Sequence, residues 1–258
     1  MCTVSRGIRE GIVKSLKDAL AKTKLGPEYA YLSQPLTLFE RTAKKVFEWY
    51  CKALFTLYCP LQVQGRENIP QSPFIFCSNH NSHMDTGVLM RCSGLPVKNF
   101  GMMAAADYFF ENKSRKFFLG SLMNLIPVNR KSTYKSMVET IAACREFTKD
   151  RSRNIIIYPE GTRSLTGQIQ NFKHGAAMIS SELSLPIVPV YIKGTYASWP
   201  KGNSFMKPGK LQAAIGQPIF PQQFHHEAKN GKPMAGYRLL TAELEQSILS
   251  LKEENGVN

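Results

Sequence analysis

A chain of 258 residues, 43% hydrophobic and 20% charged, is long enough to bury a substantial core and too apolar for a disordered segment; it fits one large domain, or such a domain with a small appendage. Lysine and arginine exceed aspartate and glutamate by 33 − 19 = +14, with a pI near 9.6, so the expected partner or substrate is anionic: phosphate, an acidic lipid surface or nucleic acid. The six cysteines, at 2, 51, 59, 77, 92 and 144, stand among apolar residues with no Cys-x-x-Cys pair, which fits reduced thiols rather than a disulfide framework.

The first segment lacks the unbroken apolar region of a signal peptide, because Arg6, Arg9, Glu10, Lys14, Lys17 and Asp18 run through it. No later run reaches the roughly eighteen apolar residues a membrane span needs. Residues 1–61 instead read as two amphipathic helices. Ile8, Ile12, Leu16 and Leu20 repeat every four residues up to Gly26-Pro27, and a second stripe runs from Leu36 through Phe39, Ala43, Val46, Phe47, Tyr50, Leu54 and Leu57 to Leu61, interrupted by Pro60. Trp49, Tyr50 and Tyr58 supply aromatics and Lys44, Lys45 and Lys52 supply charge, a composition suited to lying on an anionic bilayer surface. The alternative is that both stripes dock on the core. No nucleic-acid motif accompanies the basic residues.

From 62 to 258 short β-rich runs alternate with helical patterns, which predicts an α/β domain with a mostly parallel sheet flanked by helices. Strands are expected at 62–65, 73–78, 97–104, 126–129, 154–158, 187–192 and 211–216. Helices are expected at 86–92, 113–123, 172–183 and 237–252, with a further helix capped by Ser132 and running to about 149.

After the second of these strands comes Cys77-Ser78-Asn79-His80-Asn81-Ser82-His83-Met84-Asp85. A carboxylate that holds one imidazole nitrogen fixes the tautomer and raises the basicity of the other, so Asp85 would orient His80 as a general base. Ser82-x-x-Asp85 also fits a capping box at the start of the next helix, and the two readings are compatible. His83 lies nearer Asp85 in sequence but projects in another direction; His174, His225 and His226 read as surface residues. Zinc ligation by Cys77, His80, His83 and Asp85 is chemically possible, as is a nucleophilic Cys77 activated by His80, although a cysteine in an apolar strand is more often inert core. No Gly-x-Ser-x-Gly elbow is present.

The expected strand at 154–158 runs into Tyr158-Pro159-Glu160-Gly161-Thr162-Arg163-Ser164. Ligands of open α/β sheets sit beyond the carboxyl ends of strands, where a Pro-Glu-Gly turn offers close approach, a carboxylate and an arginine fork for phosphate. Pro127-Val128-Asn129-Arg130 ends another strand in the same way.

With His80-x-x-x-x-Asp85, the block Leu125 to Arg130, the block Tyr158 to Ser164 (tyrosine where phenylalanine is usual) and Val188-Pro189-Val190, all in order, the chain resembles the glycerophospholipid acyltransferase family, in particular bacterial-type 1-acylglycerol-3-phosphate acyltransferases. The resemblance covers roughly 62–220 and implies the glycerol-3-phosphate acyltransferase-like fold. It also implies transfer of a fatty acyl group from acyl-coenzyme A or acyl carrier protein to a lysophospholipid hydroxyl, most simply that of lysophosphatidic acid. His80 and Asp85 would be catalytic; Arg130 and Arg163 would bind the acceptor phosphate, with Glu160, Gly161 and Thr162 shaping the acceptor site and Pro189 structural. No metal or bound cofactor is implied, nor any nucleic acid. The N-terminal helices would attach peripherally to the cytoplasmic face of the cell (inner) membrane. Another lyso-lipid acceptor, or lipid binding without catalysis, are the alternatives.

Overall fold

The computed structural model describes residues 16, 18–106, 113–129, 133–224 and 233–256. Seven strands form one sheet: β1 (Leu61–Gln64), β2 (Ile75–Ser78), β3 (Phe100–Ala105), β4 (Asn124–Val128), β5 (Asn154–Ile157), β6 (Ile187–Lys193) and β7 (Leu211–Ile215), in the order β1-β7-β6-β2-β5-β3-β4. Strands β6, β2, β5, β3 and β4 run parallel, as expected. Strand β7 pairs antiparallel to β6 and parallel to β1, so these two reverse the direction at one edge.

The helices that flank the sheet include α1 (Leu38–Ala53), α2 (Asp85–Ser93), α3 (Lys113–Leu122), α4 (Tyr134–Phe147), α5 (Gly175–Leu183), the single turn α6 (Thr195–Ser198) and α7 (Pro233–Gly256). They cover both faces, and the period-two alternation of the strands divides the core accordingly. Ile75, Cys77, Ile155 and Ile157 face a cluster with Ile141 and Phe147 of α4, Ala176 and Ile179 of α5 and Leu240 and Leu244 of α7. Phe76, Ile156, Val188 and Val190 face the other cluster, with Val88 and Leu89 of α2 and Cys51 of α1. Buried on both faces, the central strands read as continuous apolar runs.

This division sets the site. The chain leaves β2 toward α2 on one face and leaves the adjacent β5 toward α5 on the other. A crevice opens where neighbouring strands send their connections to opposite faces, and that is where ligands of such sheets bind.

Several expectations change. Thr133, not Ser132, caps α4: its hydroxyl accepts from the Ser136 amide at 3.2 Å. Helix α5 starts at Gly175, three residues later than the periodicity predicts, because 158–174 are held as a loop over the site. Of the first amphipathic segment, Leu16 and Leu20 are buried in the core; the residues before 16 lie outside the described residues, as do Ser132, His225 and His226. Helix α1 carries a Thr37/Glu40 capping box. It exposes Leu38, Phe39, Val46, Trp49 and Tyr50, and Leu57 just beyond it is also exposed. Lys44 is not on that surface: it is 2% exposed, and its ammonium donates to the Gly120 and Ser121 carbonyls at the end of α3, at 2.8 and 3.1 Å. Among the described residues no helix is long and apolar enough to cross a membrane.

Candidate active site

The segment after β2 is fixed before it reaches His80. The buried Asn79 side chain pairs with β6 as a backbone amide would, donating to the Ile192 carbonyl at 2.9 Å and accepting from the Ile192 amide at 2.8 Å. The His80 backbone is then held from the β5 side: its N–H donates to Glu160 Oε1 at 2.8 Å, and its carbonyl accepts from the Ser164 amide at 2.7 Å. Glu160 Oε2 accepts from the Gln170 amide at 3.3 Å. The Glu160 carboxylate therefore bridges two backbone segments from a buried position. Burial is the main reason its pKa is pushed up to about 7, aided by the charge of Asp85 and opposed by the two backbone donors. Gly161 turns with φ +74°, a left-handed conformation that favours glycine; a Cβ there would meet only the movable end of the exposed Lys173 side chain, Nζ at 2.8 Å.

His80 Nδ1 lies 2.9 Å from Asp85 Oδ2. The same oxygen accepts the Asn81 and Ser82 amides at 2.7 and 2.8 Å. An oxygen receiving two N–H groups is acting as an acceptor, so Nδ1 carries the proton and donates, leaving the Nε2 lone pair as the basic position. Asp85 is fully buried at the first residue of α2, where the helix dipole favours its charge. The capping box expected at Ser82 does not form. Met84 is the N-cap, Ser82 Oγ donates to the Trp199 carbonyl at 2.7 Å and accepts the Met84 amide at 3.2 Å, and Asp85 spends its oxygen on the His80 loop.

One face of the imidazole is covered by Tyr158, whose ring lies parallel at 3.7 Å between centroids and 9° between planes. The Tyr158 hydroxyl is 2.8 Å from Thr86 Oγ1, and Thr86 in turn donates to Met102 Sδ at 3.2 Å, so the phenol is the donor of the first bond. Burial raises the Tyr158 pKa well above its usual range, which keeps the phenol protonated. The imidazole plane is thus set by Asp85 and Tyr158, and Asp85 and Thr86, the partner of the Tyr158 hydroxyl, are adjacent in α2.

His80 opens on a cavity of about 590 Å³. One part of its wall is apolar, with Met102 and Met103 of β3, Leu119 of α3, Met123, Val128 of β4 and Ile157 of β5; the other carries His83, Gly161, Thr162, Arg163, Lys173 and Lys201. Of the residues expected at the site, His80, Gly161, Thr162 and Arg163 line this cavity and Glu160 supports it from behind. Arg130 lies outside the described residues. His83 faces the cavity next to Trp199, 5.7 Å between rings; burial chiefly, then Arg163 and His80, lower its pKa and favour the neutral ring. His174 is not a surface residue: half-buried, its Nδ1 meets Thr241 Oγ1 at 3.0 Å and ties α5 to α7. Cys77 is fully buried and burial raises its thiol pKa, so it supplies no thiolate nucleophile. No cluster of three His, Cys, Asp or Glu suited to a metal ion occurs among the described residues.

Sequence reasoning missed Lys173 and Lys201, which the cavity gathers from separate loops, and the support given by Asn79, Tyr158 and Thr86. Tyr158 and Asn79 stood inside the quoted blocks, but nothing in their spacing announces a ring stack or a side chain paired like backbone.

A buried carboxylate orienting an imidazole, at the mouth of a part-apolar, part-cationic cavity at the switch point of a parallel sheet, is an arrangement chemically suited to general-base work in an α/β fold. The family follows from comparison. A family model described as acyltransferase matches residues 60–193, just over half of the chain, and the chain belongs to that family. It is 28% identical over 197 residues to a chloroplastic 1-acyl-sn-glycerol-3-phosphate acyltransferase of Brassica napus, covering 71% of this chain and 53% of that protein. To the 1-acyl-sn-glycerol-3-phosphate acyltransferase of Pseudomonas aeruginosa it is 30% identical over 157 residues, covering 60% of this chain and 57% of that one. The fold is similar to the crystal structure of the 1-acyl-sn-glycerophosphate (LPA) acyltransferase PlsC from Thermotoga maritima, with TM-score 0.64 and 26% identity over 98% of both chains. The chain spans about half the length of the plant relatives it matches.

Proposed function

We propose that this chain transfers a fatty acyl group from a thioester, acyl-coenzyme A or acyl-acyl carrier protein, to the free hydroxyl of 1-acyl-sn-glycerol-3-phosphate, giving phosphatidic acid for phospholipid biosynthesis. The observation that carries the reading is the His80–Asp85 pair, 2.9 Å apart, at the mouth of the 590 Å³ cavity. Nε2 of His80 takes the acceptor hydroxyl proton as that oxygen attacks the thioester carbonyl; the C–O bond forms, the C–S bond breaks, and the imidazolium returns its proton to the departing thiolate. Asp85 stabilises the imidazolium meanwhile. Arg163, Lys173 and Lys201 suit a phosphate, with Arg130 assigned the same role by sequence. The methionine-rich wall suits an acyl chain.

Peripheral attachment at the cytoplasmic face of a membrane is part of the same reading. The exposed stripe of α1 continues onto α3 through Phe39 and Phe117, stacked at 5.7 Å, and Lys52 lies 5.8 Å from the ring centre of Trp49. Apolar and aromatic groups beside cations suit an interface with anionic lipid. The test is turnover with oleoyl-coenzyme A or acyl-acyl carrier protein against a panel of lysophospholipids and glycerol 3-phosphate, following thiol release and lipid product. Preference for lysophosphatidic acid, weakened by Arg163→Ala mainly through KM, supports the assignment; equal use of acceptors without phosphate monoesters contradicts it.

A further inference from the structure

Two loops that supply the cavity with cations carry a feature the reaction does not use. Two residues beyond Arg163 stands Leu165, 70% exposed, and four beyond Lys201 stands Phe205, 85% exposed. Both loops are anchored. The Tyr196 hydroxyl donates to the Leu165 carbonyl at 2.7 Å, Trp199 Nε1 to the Asn203 carbonyl at 2.8 Å, and the Lys207 amide to the Ser198 carbonyl at 2.8 Å. Two large apolar side chains are therefore presented to water by fixed backbone. Isolated exposed apolar residues are ordinary, but here two stand on the two loops that give the cavity Arg163 and Lys201.

The charge around them has one sign. Lys201, Lys207 and Lys210 are all exposed, and neither 161–175 nor 199–210 contains an aspartate or glutamate. The second loop is also joined to the exposed α1 face: the Tyr58 hydroxyl donates to the Met206 carbonyl at 3.1 Å, next to exposed Leu57. Apolar tips flanked by lysines, continuous with an amphipathic helix face, have the chemistry of an anionic bilayer surface.

We propose that the rim loops around Leu165 and Phe205 form a second membrane contact, which seats the cavity mouth on an anionic bilayer so that a lipid acceptor reaches His80 without crossing water. The inference rests on the membrane reading above. It is tested by flotation of the full chain with phosphatidylcholine vesicles, with and without phosphatidylglycerol, comparing wild type, Leu165→Ser/Phe205→Ser and Trp49→Ser/Leu57→Ser. The rim variant should lose roughly tenfold or more in partitioning to anionic vesicles, with a raised KM for bilayer-embedded acceptor and unchanged turnover of a short-chain monomeric acceptor; Phe205→Trp should keep wild-type partitioning. The proposal is overturned if the rim variant floats like wild type while the α1 variant does not, or if turnover of the monomeric acceptor falls equally. Failure of the wild type to float with either vesicle overturns the membrane reading itself.

Discussion

Replacing Asp85 by Asn separates the catalytic use proposed for this carboxylate from its structural use. One oxygen accepts three N–H groups, from His80 Nδ1, the Asn81 amide and the Ser82 amide, at 2.9, 2.7 and 2.8 Å. Asparagine keeps the two backbone amides only if its carbonyl oxygen takes the place of Oδ2, where Nδ1–H also meets it, so the three bonds survive with a neutral acceptor. The imidazolium formed when Nε2 takes a proton then lacks the carboxylate charge beside it, and Nε2 becomes a weaker base. A positioned general base supplies about 10²- to 10⁴-fold in rate, or roughly 3–5 kcal/mol at about 1.4 kcal/mol per decade. The backbone loses two charge-assisted bonds for neutral ones, at about 1 kcal/mol in all, so the melting temperature should fall by only about 2–4 °C for a domain of this size. Thiol release from oleoyl-coenzyme A should show kcat down at least a hundredfold with KM nearly unchanged. A variant that keeps more than a third of wild-type kcat would refute the assignment of Asp85 as the charge that supports His80 as a base.

Tyr158→Leu, which removes the ring lying 3.7 Å from His80, should lower kcat about ten- to a hundredfold without raising KM, because small misplacements of a reacting group cost that much; Tyr158→Phe keeps the ring and should stay within a few-fold of wild type, and an unchanged Tyr158→Leu contradicts the positioning role. For Glu160, raised from 4.5 to about 7, the folded state holds more protons than the unfolded one between those values, so stability relative to Glu160→Gln should be greatest below about pH 4.5 and decline, by at most about 3 kcal/mol, as pH rises to about 7. Melting curves of both proteins across that range check the slope, and parallel curves refute it. Lys44 is lowered from 10.5 to about 8 by burial, so its sign is opposite: wild type should gain stability over Lys44→Met as pH rises from about 8 to about 10.5, read from urea midpoints, and no relative change would contradict a buried ammonium.

Much of the architecture was legible because the central strands are apolar on both faces and bounded by turn residues: Ile155-Ile156-Ile157 and Ile187 to Ile192 could hardly be anything but buried strands. Edges were harder. That β7 runs against β6 depends on which way the chain re-enters the sheet, and no period in Leu211–Ile215 records direction. Lys44 read as an interface cation because it stands beside Lys45 in an amphipathic stripe, yet it lies where α1 crosses the end of α3, and only the packing of two helices reveals two carbonyls waiting for a donor. At the site, His80, Asp85 and the Glu160 to Arg163 turn were readable from chemistry and order along the chain. Lys173, Lys201 and the Tyr158 stack were not, since they come from different loops and meet only in the folded cavity.

The most direct measurement is thiol release and lipid product formation by wild type and His80→Ala with a long-chain acyl thioester and lysophosphatidic acid. Wild-type turnover to phosphatidic acid, reduced about 10²-fold or more in a His80→Ala protein that melts like wild type, is the predicted result. Equal turnover by the two proteins, or none by a folded wild type with either class of donor, would contradict a general-base acyl transfer at His80.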